Sequence, residues 1–125
     1  MRVVHWDGRD GRILAERANI VDSMVGKIWG LMFHKPLEQG DALVFRFNAP
    51  RPRSVHTLFV RETIDVIWVA GERVTRVETM TPWTVRRVGT GDLLVELPGG
   101  TATAVSVGDH VRLERTRPTP GDRAN

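Results

Sequence analysis

The chain has 125 residues, 41% apolar and 26% charged, with a formal net charge of +3 and no cysteine. That length supports one core burying roughly two thirds of the unfolded surface, hence one domain rather than two, and the composition is that of an ordinary soluble globular protein. Lack of cysteine excludes disulfides, thiolate zinc sites, iron–sulfur clusters and cysteine nucleophiles, and nothing approaches the run of about 18 apolar residues that a membrane-spanning helix needs.

The segment Met1–Asp7 and the following glycine interrupt what would have to be a continuous apolar region in a signal peptide, so the chain reads as cytoplasmic. The last eleven residues, 115–125, hold Arg115, Arg117 and Arg123 against Asp122 and so carry +2 of the net charge. Elsewhere arginines alternate with Asp and Glu, a mixed solvated surface that argues against nucleic acid as a partner.

Residues 2–6 alternate and meet the turn-rich Asp7-Gly8-Arg9-Asp10-Gly11, after which 12–20 resume as a strand, a hairpin pattern. Asp22 and Ser23 offer capping oxygens before Met24, Ile28, Leu31 and Met32, which share one helical face, so a helix is expected at about 22–33. Gly26 and Gly30 cost it about 1 kcal/mol each and keep it short.

Strands then follow at 42–47, 54–60, 63–70 and 74–80, the first two separated by a proline-rich loop at 48–53. Residues 63–70 read as the most buried, because both faces of the strand are apolar. A long connection from Thr81 to Gly91 precedes a strand at 93–97. Pro98-Gly99-Gly100 breaks the chain, 101–106 offers one or two turns of a second helix, and 110–114 is the last strand. The expected fold is mainly β (α+β), a small barrel-like or sandwich sheet of about eight short strands with a helix on one side. It comprises a single globular domain over 1–114, and the Pro-, Thr- and Gly-containing tail 115–125 is expected to be disordered.

Several of these segments have a familiar order and spacing. Gly30-Leu31-Met32-Phe33, Leu43-Val44-Phe45-Arg46-Phe47, Asp65-Val66-Ile67-Trp68, Leu94-Val95-Glu96-Leu97-Pro98-Gly99-Gly100 and Val107-Gly108-Asp109 resemble domain-of-unknown-function family 192, over about Ile13 to Leu113. The resemblance implies a compact, mainly β fold with a helix before the Gly-Leu-Met segment, and implies no reaction, ligand or catalytic residue. Many members read Phe-Trp-Met-Lys-Asn-Thr where this chain has Val55-His56-Thr57-Leu58-Phe59-Val60. Roles that need that lysine or asparagine do not transfer, and His56 is the titratable group in their place.

Asp65 is the most informative residue. It shares a strand face with Ile67 and Val69, and a buried unpaired carboxylate costs several kcal/mol. It therefore either fastens backbone amides of an adjoining turn or serves a pocket as an acid or acceptor. A hairpin of 54–60 with 63–70 around Arg61-Glu62 would set His56 diagonally across from Asp65, an arrangement suited to proton transfer. Arg-Glu is poor chemistry for a tight turn, however, and a one-residue slip reverses the face.

Trp83, Arg86 and Arg87 form an aromatic and cationic group that either holds an anionic or planar ligand or lids the sheet and answers Glu78 or Glu96. His5, His34, His56 and His110 have no metal-ligand spacing, Ser23, Ser54 and Ser106 lie in no nucleophile elbow, and no phosphate-cradling loop or cofactor motif occurs. The preferred reading is a small non-catalytic binding module. It would hold a small polar or sugar-like ligand near Asp65, His56, Trp83 and Arg86. The alternatives are an acid–base enzyme using Asp65 and His56, or weak nucleic-acid binding through the basic tail.

Overall fold

The computed structural model describes residues 1–21, 37–55, 62–83 and 87–116. The helix expected at 22–33 lies outside them, as do His56, Arg86 and the tail from 117 onward. The described chain is mainly β, in eight strands: β1 Arg2–Trp6, β2 Gly11–Ala15, β3 Arg17–Val21, β4 Asp41–Val55, β5 Ile64–Ala70, β6 Arg73–Met80, β7 Arg87–Pro98 and β8 His110–Glu114. No helix among the described residues is long and apolar enough to cross a membrane.

The strands form one sheet in the order β2-β1-β8-β6-β5-β7-β4-β3, antiparallel except for the parallel β3–β4 pair. Its two outermost members, β2 and β3, are consecutive in the chain and joined through Glu16, and the Ala18 amide donates to the Met1 carbonyl at 3.0 Å. One buried cluster draws Val3, Leu14, Val44, Ile67, Val69, Val74, Val95 and Val111 from seven strands, with Ala18 and Ile20 of β3 packed against it. A single sheet face can do this only by curling round on itself, which makes the sheet barrel-like.

The convex face carries a second cluster of Leu43, Phe45, Ile64, Val66, Trp68, Met80 and Leu94. Alternate residues of β5 therefore serve opposite cores, as expected from its two apolar faces, and Ile64–Val69 are all buried. Trp68 is held by a 2.9 Å bond from its indole Nε1 to the Arg53 carbonyl, with the Arg76 guanidinium over its ring.

Four details differ from the sequence-based expectations. The strand at 12–20 bends at Glu16 into β2 and β3. The loop at 48–53 is instead the middle of a fifteen-residue strand, β4. Pro50 and Pro52 are tolerated because β3 pairs only with the 41–45 stretch of β4 and the ladder to β7 is irregular between Arg46 and Arg51. The connection after β6 ends sooner, since Gly89-Thr90-Gly91 belong to β7 and pair with Arg53, Pro52 and Arg51. The segment 101–106 forms successive turns rather than a helix, with Thr101 N donating to Pro98 O at 3.1 Å and Val105 N to Ala102 O at 3.0 Å.

Candidate functional site

Asp65 faces the inner core and is 2% exposed. Its Oδ1 accepts from Thr79 Oγ1 at 2.8 Å, and its Oδ2 accepts from the Gly100 and Ala102 amides at 3.0 and 2.8 Å. Three donors satisfy the carboxylate and explain an acid within an apolar strand: it pins the turn that leaves β7. The expected hairpin of 54–60 with β5 has no vacant edge to use, because β6 and β7 occupy both sides of β5. No described element brings His56 or Arg86 to Asp65, as both lie outside the described residues. Trp83 follows Met80, whose strand partner is Ile64, so it stands at the Asp65 end of β5, exposed and with a φ of 64°.

The other end of β5 opens differently. Val69, Leu93, Val111 and Leu113 floor a cleft of about 290 Å³ at the mouth of the curled sheet, rimmed by Arg46, Asp92, Glu72 and Arg112. A smaller recess of about 190 Å³ shares Glu72 and Arg112 and reaches Trp6 and His110. An apolar floor with a few charged rim groups in a barrel mouth is the usual form of a small-molecule site.

The β5–β6 hairpin creates this rim. Its two-residue turn is Gly71-Glu72, with φ values of 56° and 67°, the left-handed pair of a type I′ turn. Glycine takes that backbone freely, whereas glutamate is strained there at a cost of about 1–2 kcal/mol. The turn is pinned on both sides: Gly71 N donates to Asp92 Oδ1 at 3.3 Å, and Val111 N donates to the Glu72 carbonyl at 2.9 Å. Arg112 donates through Nε and Nη2 to Glu114 Oε2 at 3.2 and 2.8 Å, with its guanidinium 4.4 Å from the Trp6 ring centre.

Two further titratable groups lie in the interior. Glu96 is 2% exposed on the convex face, where it pairs with Leu43 and Val66 across neighbouring strands. Its Oε2 has no hydrogen-bond partner, and burial pushes the carboxyl up to about 8, so it is protonated at neutral pH. His5 is fully buried, with Nε2 2.8 Å from Asp109 Oδ2 and Nδ1 unpartnered. The hydrogen bond with His5 is the main cause that holds the Asp109 carboxyl below its ordinary value, assisted by the Ser106 amide at 2.9 Å. Among the described residues no three His, Asp or Glu side chains are placed to hold a metal ion.

Sequence reasoning missed the mouth. A Gly-Glu pair in a two-residue hairpin loop, where Asn-Gly is usual, was the one local signal for Glu72. Arg46, Asp92 and Arg112 sit on three different strands, and no spacing reveals their convergence. Glu96 carried the same signal as Asp65, an acid between apolar neighbours.

Residues 6–113 match the family model DUF192, described as Uncharacterized ACR. UPF0127 protein PH1112 of Pyrococcus horikoshii is 37% identical over 87 residues, covering 64% of this chain and 63% of that protein, so the match spans a little under two thirds of that relative. UPF0127 protein PF1050 of Pyrococcus furiosus is 33% identical over 117 residues, covering 86% of this chain and 93% of that protein. A protein of unknown function from Novosphingobium aromaticivorans has the same fold, with a TM-score of 0.79 at 20% identity over 90% of this chain and 84% of that one.

Proposed function

Since the chain belongs to DUF192, a family whose function is unknown, we propose from the geometry alone that it is a small non-catalytic binding module that takes a small polar ligand at the mouth of its curled sheet. The observation that carries this reading is Glu72, held in left-handed backbone at the rim of the cleft. Glycine in its place would relieve the strain, so the carboxylate is worth more at the rim than the stability it forfeits. The apolar floor supplies burial, and the rim supplies orientation through charge-assisted hydrogen bonds.

Asp65 fixes the turn beyond β7, at the opposite end of β5 from this site. Trp83, at the far end of β5, has no part in it.

The test is a thermal-shift screen of monosaccharides, hydroxy acids and amino acids, with hits confirmed by amide chemical-shift mapping. A ligand that raises Tm and perturbs Gly71, Glu72, Asp92 and Arg112 supports the reading, provided the shift disappears in Glu72→Gln. Ligands that perturb only residues around Asp65 and Trp83 would move the site to the opposite end. A screen without any hit defeats the proposal.

A further inference from the structure

Charge that is mixed along the chain as a whole is segregated in the fold. Residues 42–61 and 79–91 contain six arginines, Arg46, Arg51, Arg53, Arg61, Arg86 and Arg87, and neither Asp nor Glu. Of the 18 basic and 15 acidic residues, the remaining 12 and all 15 lie elsewhere, a formal −3 beside the +6 of these two segments. The β4–β7 ladder joins the segments, pairing Arg51 with Gly91, Arg53 with Gly89 and Val55 with Arg87.

The Arg53 guanidinium returns to the same place, donating to the Gly91 carbonyl at 3.3 Å and the Ala49 carbonyl at 2.9 Å. It lies 3.8 Å from the Phe47 ring centre. All of these partners are neutral. Among the described residues, no carboxylate comes within ion-pair distance of Arg51 or Arg53. Two like charges held two residues apart on one strand repel, and an anion supplied from outside the chain relieves them.

A second feature adjoins the ribbon. Trp83 is 66% exposed with a φ of 64°, left-handed backbone that a bulky side chain adopts only under constraint. It precedes Arg87 by four residues, so their Cα atoms are at most about 14 Å apart.

We infer that the β4–β7 ribbon is a docking surface for single-stranded nucleic acid, with Arg51, Arg53 and Arg87 on its phosphates and Trp83 stacked on a base. Arginine's planar fork matches a phosphate with two hydrogen bonds, and both segments use Arg to the exclusion of Lys. An aromatic face beside such cations suits unpaired bases. An acidic peptide would use the arginines and leave Trp83 idle. A membrane surface calls for an apolar face, whereas Pro52, Ser54 and Thr90 are the exposed alternate positions of this ribbon.

The experiment is fluorescence anisotropy of the full chain with labelled oligothymidylate and with its duplex with oligoadenylate. Three phosphate contacts predict an affinity that falls about twentyfold between roughly 50 and 200 mM salt. Arg51→Gln and Arg87→Gln are each expected to weaken binding at least about threefold and to flatten the salt dependence. Trp83→Ala is expected to weaken it about tenfold with the salt dependence unchanged. Circular dichroism checks that each variant keeps its sheet. The duplex is expected to bind at least about fivefold more weakly, since its bases are closed to Trp83. Absence of binding at about 50 mM salt overturns the inference, as does a duplex that binds as well as the single strand. Binding kept in the ribbon variants but lost in Arg117→Gln/Arg123→Gln assigns it to the basic tail and also overturns it. Capture on phosphatidylserine vesicles without binding of oligothymidylate overturns it in favour of a membrane surface.

Discussion

The Asp65 carboxylate reaches across 37 residues to accept a 2.8 Å hydrogen bond from the main-chain amide of Ala102. It also takes the Gly100 amide and the Thr79 hydroxyl, so one side chain ties β5 to β6 and to the turn after β7. Asp65→Ala strands two amide donors and a hydroxyl, and is expected to cost about 2–4 kcal/mol in urea unfolding. Asp65→Asn keeps one acceptor oxygen but turns an NH₂ toward a donor, and should fall between the two. A loss below about 0.5 kcal/mol for the alanine variant would contradict the fastening role.

Glu96 predicts a pH dependence. Burial raises its carboxyl from an ordinary 4.5 to about 8 in the folded chain. Between those values the folded state keeps a proton that the unfolded state has released. Its contribution is therefore full below the lower value, declines as pH rises through the interval by up to about 1.4 kcal/mol per unit, and stays lost above the upper one. Histidines titrate in the same range, so the readout is the difference between wild type and Glu96→Gln, measured by denaturant unfolding at about pH 5, 6.5 and 8. The variant should gain on wild type as pH rises. Parallel pH profiles would show that Glu96 does not stay neutral.

Gly89 lies against the face of Trp68. A Cβ built on it would come 2.4 Å from Trp68 Cγ, well inside any real contact. The indole is buried and anchored to the Arg53 carbonyl, so it has little room to retreat. Gly89→Ala is expected to destabilise by at least about 1–3 kcal/mol and to change the tryptophan fluorescence maximum. Unchanged stability and emission would mean that the ring moves aside freely.

Glu72→Gly should do the reverse of most substitutions. It removes the penalty of glutamate at a φ of 67°, at the entropic cost of a second glycine in the turn. The expected net is a gain of about 0.5–1 kcal/mol in unfolding free energy, together with loss of ligand binding at the mouth. A destabilised Glu72→Gly protein would show that the glutamate is there for the fold.

The fold and the candidate site were unequally legible. The apolar pattern on both faces of residues 63–70 marked them as the most buried strand, which is β5, and the short-range alternation around it pointed to about eight strands. Their boundaries went astray where local punctuation misled. Pro50 and Pro52 read as a loop, because the parallel pairing of β3 that leaves this stretch of β4 open to prolines involves residues about 30 positions away. Glu16 carries no turn signal, yet the chain bends there to carry the sheet's last strand round to the far side of β4.

The amino-acid order by itself determined that the chain makes strands, that one of them is buried on both faces, and that Asp65 must find donors, because alternation and the cost of burying charge act at each residue wherever it ends up. It could not decide which face becomes the inside, which strands become neighbours, or that Arg46, Asp92, Glu72 and Arg112 share a rim. Those are consequences of how one open sheet curls around its inner core. That curl is set by hydrogen-bonded ladders between residues distant along the chain and by an inner core that forms only once the strands are assembled together.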